Sequence, residues 1–322
     1  MLHPTRRLVP FAFALLLLAA TAPTAAAYSS SYPTQRSGNR GADVRALQGL
    51  LTARGYPVAI DGVYSRPTWE RVNAFQAARG LTVSGIVGAR TWEKLVVPIA
   101  TGSTGEAVSA LQRQLNEKRF AKLAVSGIYN TATRAAVVAF QKHIGMTPHG
   151  TVGPVTWRNL LWHYDYPAFN ASTLCDYTDE GNGTRGNWGT GSTVGALEAA
   201  AAEFAVTGHG RVAVGDLSFE HGGNIPGHVT HEVGLDMDLR LVRKAGNQCL
   251  YGTTFRLATY DRAATRMLIQ AIRAAAPSHV KLIYFNDPVL VAEGLTTQYA
   301  GHDDHLHVRY CVPSYALAAY RC

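Results

Sequence analysis

Apolar residues in the first half of the chain recur at the spacing of a buried helix face. Val44, Leu47 and Leu51 follow one another at steps of three and four positions, and the same spacing returns between residues 108 and 115. Side chains at this spacing lie on one side of an α-helix. Each stretch therefore predicts an amphipathic helix that packs against a core.

Residues 41–95 and 105–160 are two copies of one sequence pattern, matched at an offset of 64 or 65 positions. The matched pairs include Leu47 and Leu111, Gln48 and Gln112, Gly62 and Gly127, Phe75 and Phe140, and Trp92 and Trp157. Internal similarity of this kind predicts two copies of one small module, each with three helices. We expect the leucine and aromatic positions to form the cores, and the turns at 61–62 and 126–127 to carry any binding surface.

The second half mixes helical and strand patterns. Helices are predicted at 194–204 and 260–276, strands at 211–214, 233–242, 280–285 and 305–311, and irregular segments at 164–172 and 182–192. This mixture favours an α+β domain with a mainly antiparallel sheet. The predicted organisation is multidomain, with two all-α modules at 36–98 and 100–162 and the α+β domain at 170–322.

The first 27 residues have the pattern of an export signal. Arg6 and Arg7 precede an apolar stretch, and Ala25 and Ala27 form a small-x-small cleavage motif. A bilayer-spanning helix needs about 20 apolar residues, and this stretch has only ~13. We therefore predict a signal peptide at 1–27 and a secreted protein without stable membrane insertion.

The net charge indicates which kind of partner the protein binds. The formal net charge at pH 7 is +8, and the first 27 residues contain two arginines and no acid, which leaves +6 for the rest. A modestly basic exported protein suits an anionic partner such as a bacterial cell wall. Nucleic acid is not predicted as a partner, because the chain has no run of Lys or Arg and carries an export signal.

All four cysteines, Cys175, Cys249, Cys311 and Cys322, lie in the second half of the chain. An even number of cysteines in an exported protein predicts two disulfides, for which three pairings are possible. The pairing of Cys311 with Cys322 is favoured because these two bracket a short segment. Zinc binding by thiolates is disfavoured, since no Cys-x-x-Cys spacing is present.

Two clusters of histidines and carboxylates lie at 215–238 and 301–309. They contain the candidate ligands and catalytic groups His228, His231, Asp236, Asp238, His302, His305 and His307. Two imidazoles and one carboxylate form the ligand set of a catalytic zinc site, which keeps a further position for water. The chemistry predicted from the residues alone is therefore that of a zinc hydrolase.

Strand geometry predicts how the two clusters meet. His305 and His307 are two residues apart and so face the same side of a strand, and Asp236 and Asp238 do likewise. Two adjacent strands then bring His307 and Asp238 to one ion, with His231 reaching in from the preceding turn. Asp236 is expected to support the site rather than to bind the ion.

Glu232 directly follows His231 and suggests another zinc motif, the helical His-Glu-x-x-His. The second histidine position of that motif is occupied by Leu235, and the surrounding residues favour a strand. We therefore interpret Glu232 as a structural or surface acid. His-x-His alone is a weak signal, so the zinc prediction depends on the longer composite pattern.

The front modules resemble a known family. Leu-Gln, Asp-Gly-x-Tyr, Phe-Gln and Gly-x-Val-Gly-x-x-Thr-Trp are typical of the peptidoglycan-binding module found beside many wall hydrolases. This resemblance implies wall anchoring, with peptidoglycan as the partner, rather than catalysis.

The composite pattern at 216–239 and 301–313 resembles the penicillin-insensitive murein endopeptidases, relatives of the lysostaphin-type enzymes and the zinc D-alanyl-D-alanine peptidases. The resemblance implies His231, Asp238 and His307 as zinc ligands and His305 as a catalytic base or transition-state stabiliser. It implies that His228 and His302 line the site or touch a second metal, so we count His228 with the metal candidates and His302 with the catalytic ones. Asp236 stands where the carboxypeptidases usually carry Ala, which favours the endopeptidase branch.

The function predicted is a secreted, wall-associated and monomeric zinc endopeptidase that cuts D-alanyl–diamino acid cross-links of peptidoglycan. Arg240 or Arg309 is a candidate to hold a stem-peptide carboxylate. Two alternatives stay open: a zinc D-alanyl-D-alanine carboxypeptidase, and a wall-binding protein without catalysis.

Overall fold

The computed structural model describes residues 30–177, 183–220, 222–313 and 317–322. The predicted signal peptide at 1–27 lies outside this part of the chain. Among the described residues, no helix has both the length and the apolar character needed to cross a membrane.

The front half is helical. Its elements are α1 (Ala42–Ala53), α2 (Arg66–Ala78), α3 (Ala89–Leu95), α4 (Glu106–Arg119), α5 (Thr131–His143) and α6 (Pro154–Trp162). Val44, Leu47 and Leu51 of α1 are at most 1% exposed. Helix α1 approaches α4 closely at Gly49, where an added Cβ would lie 3.0 Å from the Cβ of Ala110. The predicted pair of three-helix modules is confirmed, and the two modules share one continuous core.

The repeated glutamines hold the turns of the modules. Gln48 donates from Nε2 to Oδ1 of Asp61 at 2.8 Å and accepts from the amide of Gly62 at 2.9 Å. Gln112 accepts from the amide of Gly127 at 3.0 Å in the same way. Both glutamines are fully buried, where an unmade hydrogen bond is costly. The recurrence of Leu-Gln is therefore explained by the turn that each glutamine fixes.

The last domain contains a five-stranded sheet, a separate strand pair and three α-helices among its described residues. The elements are β1 (Tyr164–Asp165), β2 (Leu174–Asp176), β3 (Gly189–Thr190), α7 (Gly191–Ala205), β4 (Val212–Val214), β5 (Asp236–Arg240), α8 (Arg262–Ala275), β6 (Val280–Tyr284), α9 (Pro288–Ala292) and β7 (His305–Tyr310). The strand order is β2-β4-β5-β7-β6, and β1 pairs with β3. The predicted α+β class is confirmed.

The sheet is mixed rather than mainly antiparallel, which corrects the prediction. Strand β2 runs parallel to β4, whereas the other three pairs are antiparallel. Helix α7 lies between β2 and β4 along the chain, and a helical crossover of this kind joins parallel strands. The three residues of β2 are too few to show a strand period. Strands β1 and β3 lie inside the two segments predicted to be irregular.

Helices α7 and α8 share the main core of the domain with the central strands. Leu197 and Phe204 of α7 and Ile272 of α8 are at most 1% exposed and share this core with Met237 of β5 and Val308 of β7. Because side chains alternate along a strand, the neighbours of Met237 and Val308 face the other side of the sheet. That other side is where β5 and β7 carry their polar residues.

Two disulfides are present among the described residues of the last domain. They join Cys175 to Cys249 and Cys311 to Cys322, with Cα separations of 5.9 and 5.1 Å. The favoured pairing of Cys311 with Cys322 is confirmed. The first bridge ties β2 to the segment after β5, and the second closes the C-terminal segment after β7.

A buried charge cluster joins both modules to the last domain. Nζ of Lys118, on α4, lies 2.7 Å from Oδ1 of Asp43, on α1, and 3.7 Å from Oδ2 of Asp165, on β1. It also donates to the carbonyl of Leu161 at 2.7 Å. Burial is the largest influence on Asp43 and raises the pKa of its carboxyl to about 7. The three domains are therefore held together by a fully buried lysine and the two carboxylates beside it.

Candidate metal centre

Strands β5 and β7 bring the two predicted clusters together. In their antiparallel register, Asp238 lies opposite His307 and Arg240 lies opposite His305. These four residues alternate with core residues of the same strands, so they share the face turned away from the core. The sheet thus places residues from positions about 70 apart in the chain side by side.

Three ligand atoms converge on one point. His231 Nε2 lies 3.1 Å from His307 Nδ1, and Asp238 Oδ1 lies 3.0 Å from His307 Nδ1 and 3.4 Å from His231 Nε2. Bonds of ~2.0–2.1 Å to a tetrahedral zinc ion would place neighbouring ligand atoms about 3.3 Å apart. The observed separations fit this arrangement.

Each imidazole of His231 and His307 has a near nitrogen, which faces the point of convergence, and a far nitrogen, which faces away from it. The contacts of the far nitrogens explain why the near nitrogens are suited to a cation. Nδ1 of His231 lies 2.7 Å from the carbonyl oxygen of Leu217, and Nε2 of His307 lies 3.0 Å from Oδ1 of Asp236. Each of these partners is an acceptor and can hold a proton on the far nitrogen, which frees the lone pair of the near nitrogen for a cation. Two lone pairs and the Asp238 carboxylate therefore face one another, which favours a bound cation.

The pKa shifts of His307 and Asp238 agree with a cation-binding site. Burial lowers the pKa of His307, but the hydrogen bonds and charges of Asp236 and Asp238 outweigh burial and raise it to about 9. Burial raises the pKa of Asp238, but the charge and hydrogen bond of His231 and the hydrogen bond of His307 hold it well below its ordinary value. The cluster thus stabilises positive charge, which zinc would supply in place of a proton.

Asp236 supports His307 and is itself held by Arg309. The Asp236 carboxylate is fully buried, and Arg309 donates from Nε to its Oδ1 at 2.7 Å. A carboxylate behind a metal-binding histidine fixes the ring and raises its basicity. Of the two arginines considered for a substrate carboxylate, Arg309 pairs with Asp236, and Arg240 lines the cleft and pairs with Asp304 at 3.2 Å.

His228 lies beside the converging atoms. Its Nδ1 is 3.5 Å from Oδ2 of Asp238, and its Nε2 is 3.1 Å from Oδ2 of Asp216. Asp216 is the main cause of a raised pKa at His228, through their hydrogen bond. Ligand atoms of His228, His231 and Asp238 all lie within 4.8 Å of one another. His228 therefore offers an alternative third ligand, beside Oδ2 of Asp238, whereas His307 faces Oδ1.

The two predicted catalytic histidines lie at the rim. His305 Nδ1 is 2.8 Å from Oδ1 of Asp304, and its Nε2 is 3.8 Å from Oδ1 of Asp238. The ring of His302 is centred 4.8 Å from that of His305. Burial is the main cause of a lowered pKa at His302. Both histidines thus border the cluster, with the His305 Nε2 turned towards it.

A cleft of about 310 Å³ opens over the cluster. The polar residues that line it are Asp216, His228, Asp238, Arg240, Asp304 and His305. Asp216 and Asp304 each hold a histidine of the site, roles that sequence reasoning missed. The signal available in the sequence was that both residues lie within the clusters of histidines and carboxylates at 215–238 and 301–309.

Fold and site together define a modular protein whose last domain has the ligand set of a zinc peptidase. Residues 40–95 and 104–160 match the family described as putative peptidoglycan binding domain, and residues 181–281 match the family described as penicillin-insensitive murein endopeptidase. The chain therefore carries two peptidoglycan-binding modules and a murein endopeptidase domain. His228, His231 and Asp238 lie within the endopeptidase match, and the cluster at 301–309 lies beyond it.

Two curated proteins are similar over part of their length. A zinc D-Ala-D-Ala carboxypeptidase of Streptomyces albus G is 30% identical over 119 residues, which cover 36% of this chain and 43% of that protein. An N-acetylmuramoyl-L-alanine amidase of Mycobacterium tuberculosis is 30% identical over 151 residues, which cover 39% of this chain and 37% of that protein. The chain thus spans less than half the length of either relative.

A solved peptidoglycan-binding protein from Clostridioides difficile is 42% identical over 20% of this chain and 40% of its own. The TM-score of that match is 0.20, so it carries no argument about the overall fold.

Proposed function

We propose that this protein is a zinc-dependent endopeptidase that hydrolyses D-alanyl–diamino acid cross-links of peptidoglycan. The observation that carries the proposal is the convergence of His231, Asp238 and His307 at 3.0–3.4 Å. These three residues would hold the zinc ion. His228 borders them, and the murein endopeptidase match surrounds the first cluster.

The residues at the rim supply the proton chemistry. Zinc, when bound, polarises a peptide carbonyl and lowers the pKa of water at the site. Asp304 accepts the Nδ1 proton of His305, which leaves the lone pair of His305 Nε2 facing the cluster. His305 is thereby oriented to take a proton as a general base. Once protonated, His305 can return this proton to the departing amine, and His302, whose Nδ1 lies 3.0 Å from the Ala300 carbonyl, is the second histidine beside it.

The front modules would concentrate the enzyme on its substrate. Linking a wall-binding module to a catalytic domain raises the effective concentration of the cleft at the wall. The glutamine-held turns at 61–62 and 126–127 are the surfaces proposed to contact peptidoglycan. The basic net charge and the export pattern at 1–27 support action outside the cell, at the cell wall.

A second candidate function is D-alanyl-D-alanine carboxypeptidase activity on uncrosslinked stem peptides. It is supported by the similarity to the Streptomyces albus G carboxypeptidase. Asp236 argues for the endopeptidase, because the carboxypeptidases that the sequence resembles usually carry Ala at this position, whereas here a carboxylate lies 3.0 Å from His307.

The test is mass spectrometry of purified cross-linked muropeptides incubated with the zinc-loaded protein. His307→Ala and chelator-treated protein serve as inactive controls, and an enzyme of known activity shows that the substrate is cleavable. Conversion of dimers to monomers by the intact protein alone is the expected result. Release of free D-alanine without monomers would move the assignment to carboxypeptidase. No change with zinc bound would overturn both enzyme assignments in favour of a binding protein.

A further inference from the structure

Three nearly parallel rings form a column that starts at a proposed metal ligand. The ring of His307 stacks on that of Tyr284, with centroids 5.7 Å apart and planes at 26°. Tyr284 stacks in turn on Tyr299, with centroids 4.6 Å apart and planes at 21°. The column therefore leads from the buried cluster towards the surface.

The outer end of the column is a flat aromatic surface in solvent. Tyr284 is partly buried, whereas Tyr299 is 56% exposed. The edge of His302 closes the side of the column, with centroids 5.3 Å from Tyr284 and 5.5 Å from Tyr299. Gly301, in the same loop, lines the cleft. The exposed ring face thus adjoins the rim of the proposed active site.

Asn286 makes three hydrogen bonds to the loop that carries this face. Asn286, just after β6, accepts from the amide of Tyr299 at 2.9 Å and donates its own amide to the carbonyl of His302 at 2.9 Å. Its side-chain amide donates to Oδ1 of Asp303 at 2.8 Å. A ring fixed before binding loses little conformational entropy when a ligand arrives. The exposed tyrosine is therefore a preorganised surface and not a loose side chain.

We propose that the outer face of Tyr299 is a saccharide subsite that binds a pyranose ring of the muropeptide being cut. This inference rests on the proposed function, since the substrate then carries sugars at one end. The axial C–H groups of a pyranose ring form an apolar, slightly positive face, which complements the negative face of an aromatic ring. An extended stem of four residues spans up to ~14 Å at ~3.3–3.6 Å per residue. A sugar on the Tyr299 ring is therefore within reach of a scissile bond at the metal centre.

The test compares two substrates in the full-length zinc-loaded protein. One is a cross-linked disaccharide-peptide dimer, and the other is the same peptide dimer after enzymatic removal of its sugars. For Tyr299→Ala, the ratio of the KM for the sugar-bearing dimer to that for the sugar-free dimer should rise about three- to tenfold. Tyr299→Phe keeps the ring and should keep the wild-type ratio. Tyr251→Ala is the matched control, because Tyr251 is 57% exposed and stacks on Arg243 elsewhere in the domain.

An equal rise in both KM values would show a structural or peptide-binding role and would overturn the saccharide subsite. A ratio unchanged by Tyr299→Ala would overturn it as well. If the wild-type protein cleaves neither dimer, the proposed function is rejected, but the saccharide subsite is still open to a separate test. The subsite is then judged by calorimetric titration with the peptide-free disaccharide, and equal affinity of wild type and Tyr299→Ala would reject it.

Discussion

Asp236 holds His307 from behind: Oδ1 of the carboxylate lies 3.0 Å from Nε2 of the imidazole. The opposite nitrogen of the same ring is the one that lies 3.0 Å from Asp238 and 3.1 Å from His231. The proton of His307 is thus kept on the side away from the cluster. The basicity of the near nitrogen depends on a residue that never touches the proposed ion.

Replacing this support should weaken zinc binding. We expect Asp236→Asn to lower zinc affinity about 10- to 100-fold, because Asn is a poorer acceptor for the His307 proton. Competition with a chromophoric chelator measures the change. Glu293→Gln, which removes the negative charge from a surface ion pair with Arg266, is the control. Equal zinc affinity in Asp236→Asn and wild type would contradict the role assigned to Asp236.

The third zinc ligand can be decided between His307 and His228. His307→Ala should lower zinc affinity by more than the 10- to 100-fold typical of a supporting residue, because a ligand itself is lost. His228→Ala should retain zinc, because His228 is held by Asp216 at 3.1 Å and its other nitrogen faces Oδ2 of Asp238, whereas the converging oxygen is Oδ1. Zinc content after dialysis, measured by atomic absorption, separates the two. Loss of zinc from His228→Ala together with retention by His307→Ala would reverse the assignment.

The buried charge cluster should dominate the stability of the assembled domains. Lys118→Met leaves the carboxylates of Asp43 and Asp165 without their buried cation, and removing one partner of a buried pair costs about 3–5 kcal/mol. Urea unfolding at pH 7 measures the loss in the free energy of unfolding. Lys142→Met, at an exposed position on α5, should change it little. Similar stability of both variants would show that Lys118 does not hold the domains together.

Glu198 should make stability fall as pH rises. It is buried on α7 and accepts from the amides of Arg40 and Ala168 at 2.9 and 3.1 Å. Burial is the largest influence on this group and raises the pKa of Glu198 to about 8. Between the ordinary value and about 8, the folded protein therefore keeps a proton that the unfolded chain releases. Rising pH then favours unfolding, by up to about 1.4 kcal/mol per pH unit.

Urea unfolding from pH 4 to pH 9 measures this dependence as the difference between wild type and Glu198→Gln, which cannot titrate. The wild type should lose stability relative to the variant up to about pH 8 and then run parallel to it. Glu203→Gln is the control, since Glu203 lies on the same helix with 48% of its side chain exposed. A constant difference across this range would mean that Glu198 is ionised in the folded protein at every pH tested.

Local patterns were sufficient for much of the fold. The steps of three and four at Val44, Leu47 and Leu51 predicted a buried helix face, and the repeat predicted two modules. The step of two predicted that His305 and His307 share a face, as do Asp236 and Asp238. Each of these inferences depends on neighbours within a few residues, where periodicity reflects backbone geometry directly.

Other features of the structure leave no pattern in the neighbouring sequence. The parallel pairing of β2 with β4 depends on the route of the crossover through α7, and β2 itself is three residues long. Lys118 looks like an ordinary charge on an amphipathic helix, and only the packing of three domains buries it beside Asp43 and Asp165. Tyr284 and Tyr299 stack because a loop pinned by Asn286 folds back over β6.

The sequence by itself therefore determined the modular organisation, the composition of the candidate site and the residue types suited to zinc. Tertiary structure decided which nitrogen of each histidine faces the ion position, which carboxylate supports which ring, and which aromatic face borders the cleft. The physical reason is the separation along the chain over which each effect acts. Side-chain periodicity is set by the backbone over a few residues, whereas the distance between His231 and His307, 76 positions apart, is set by how whole strands and loops pack.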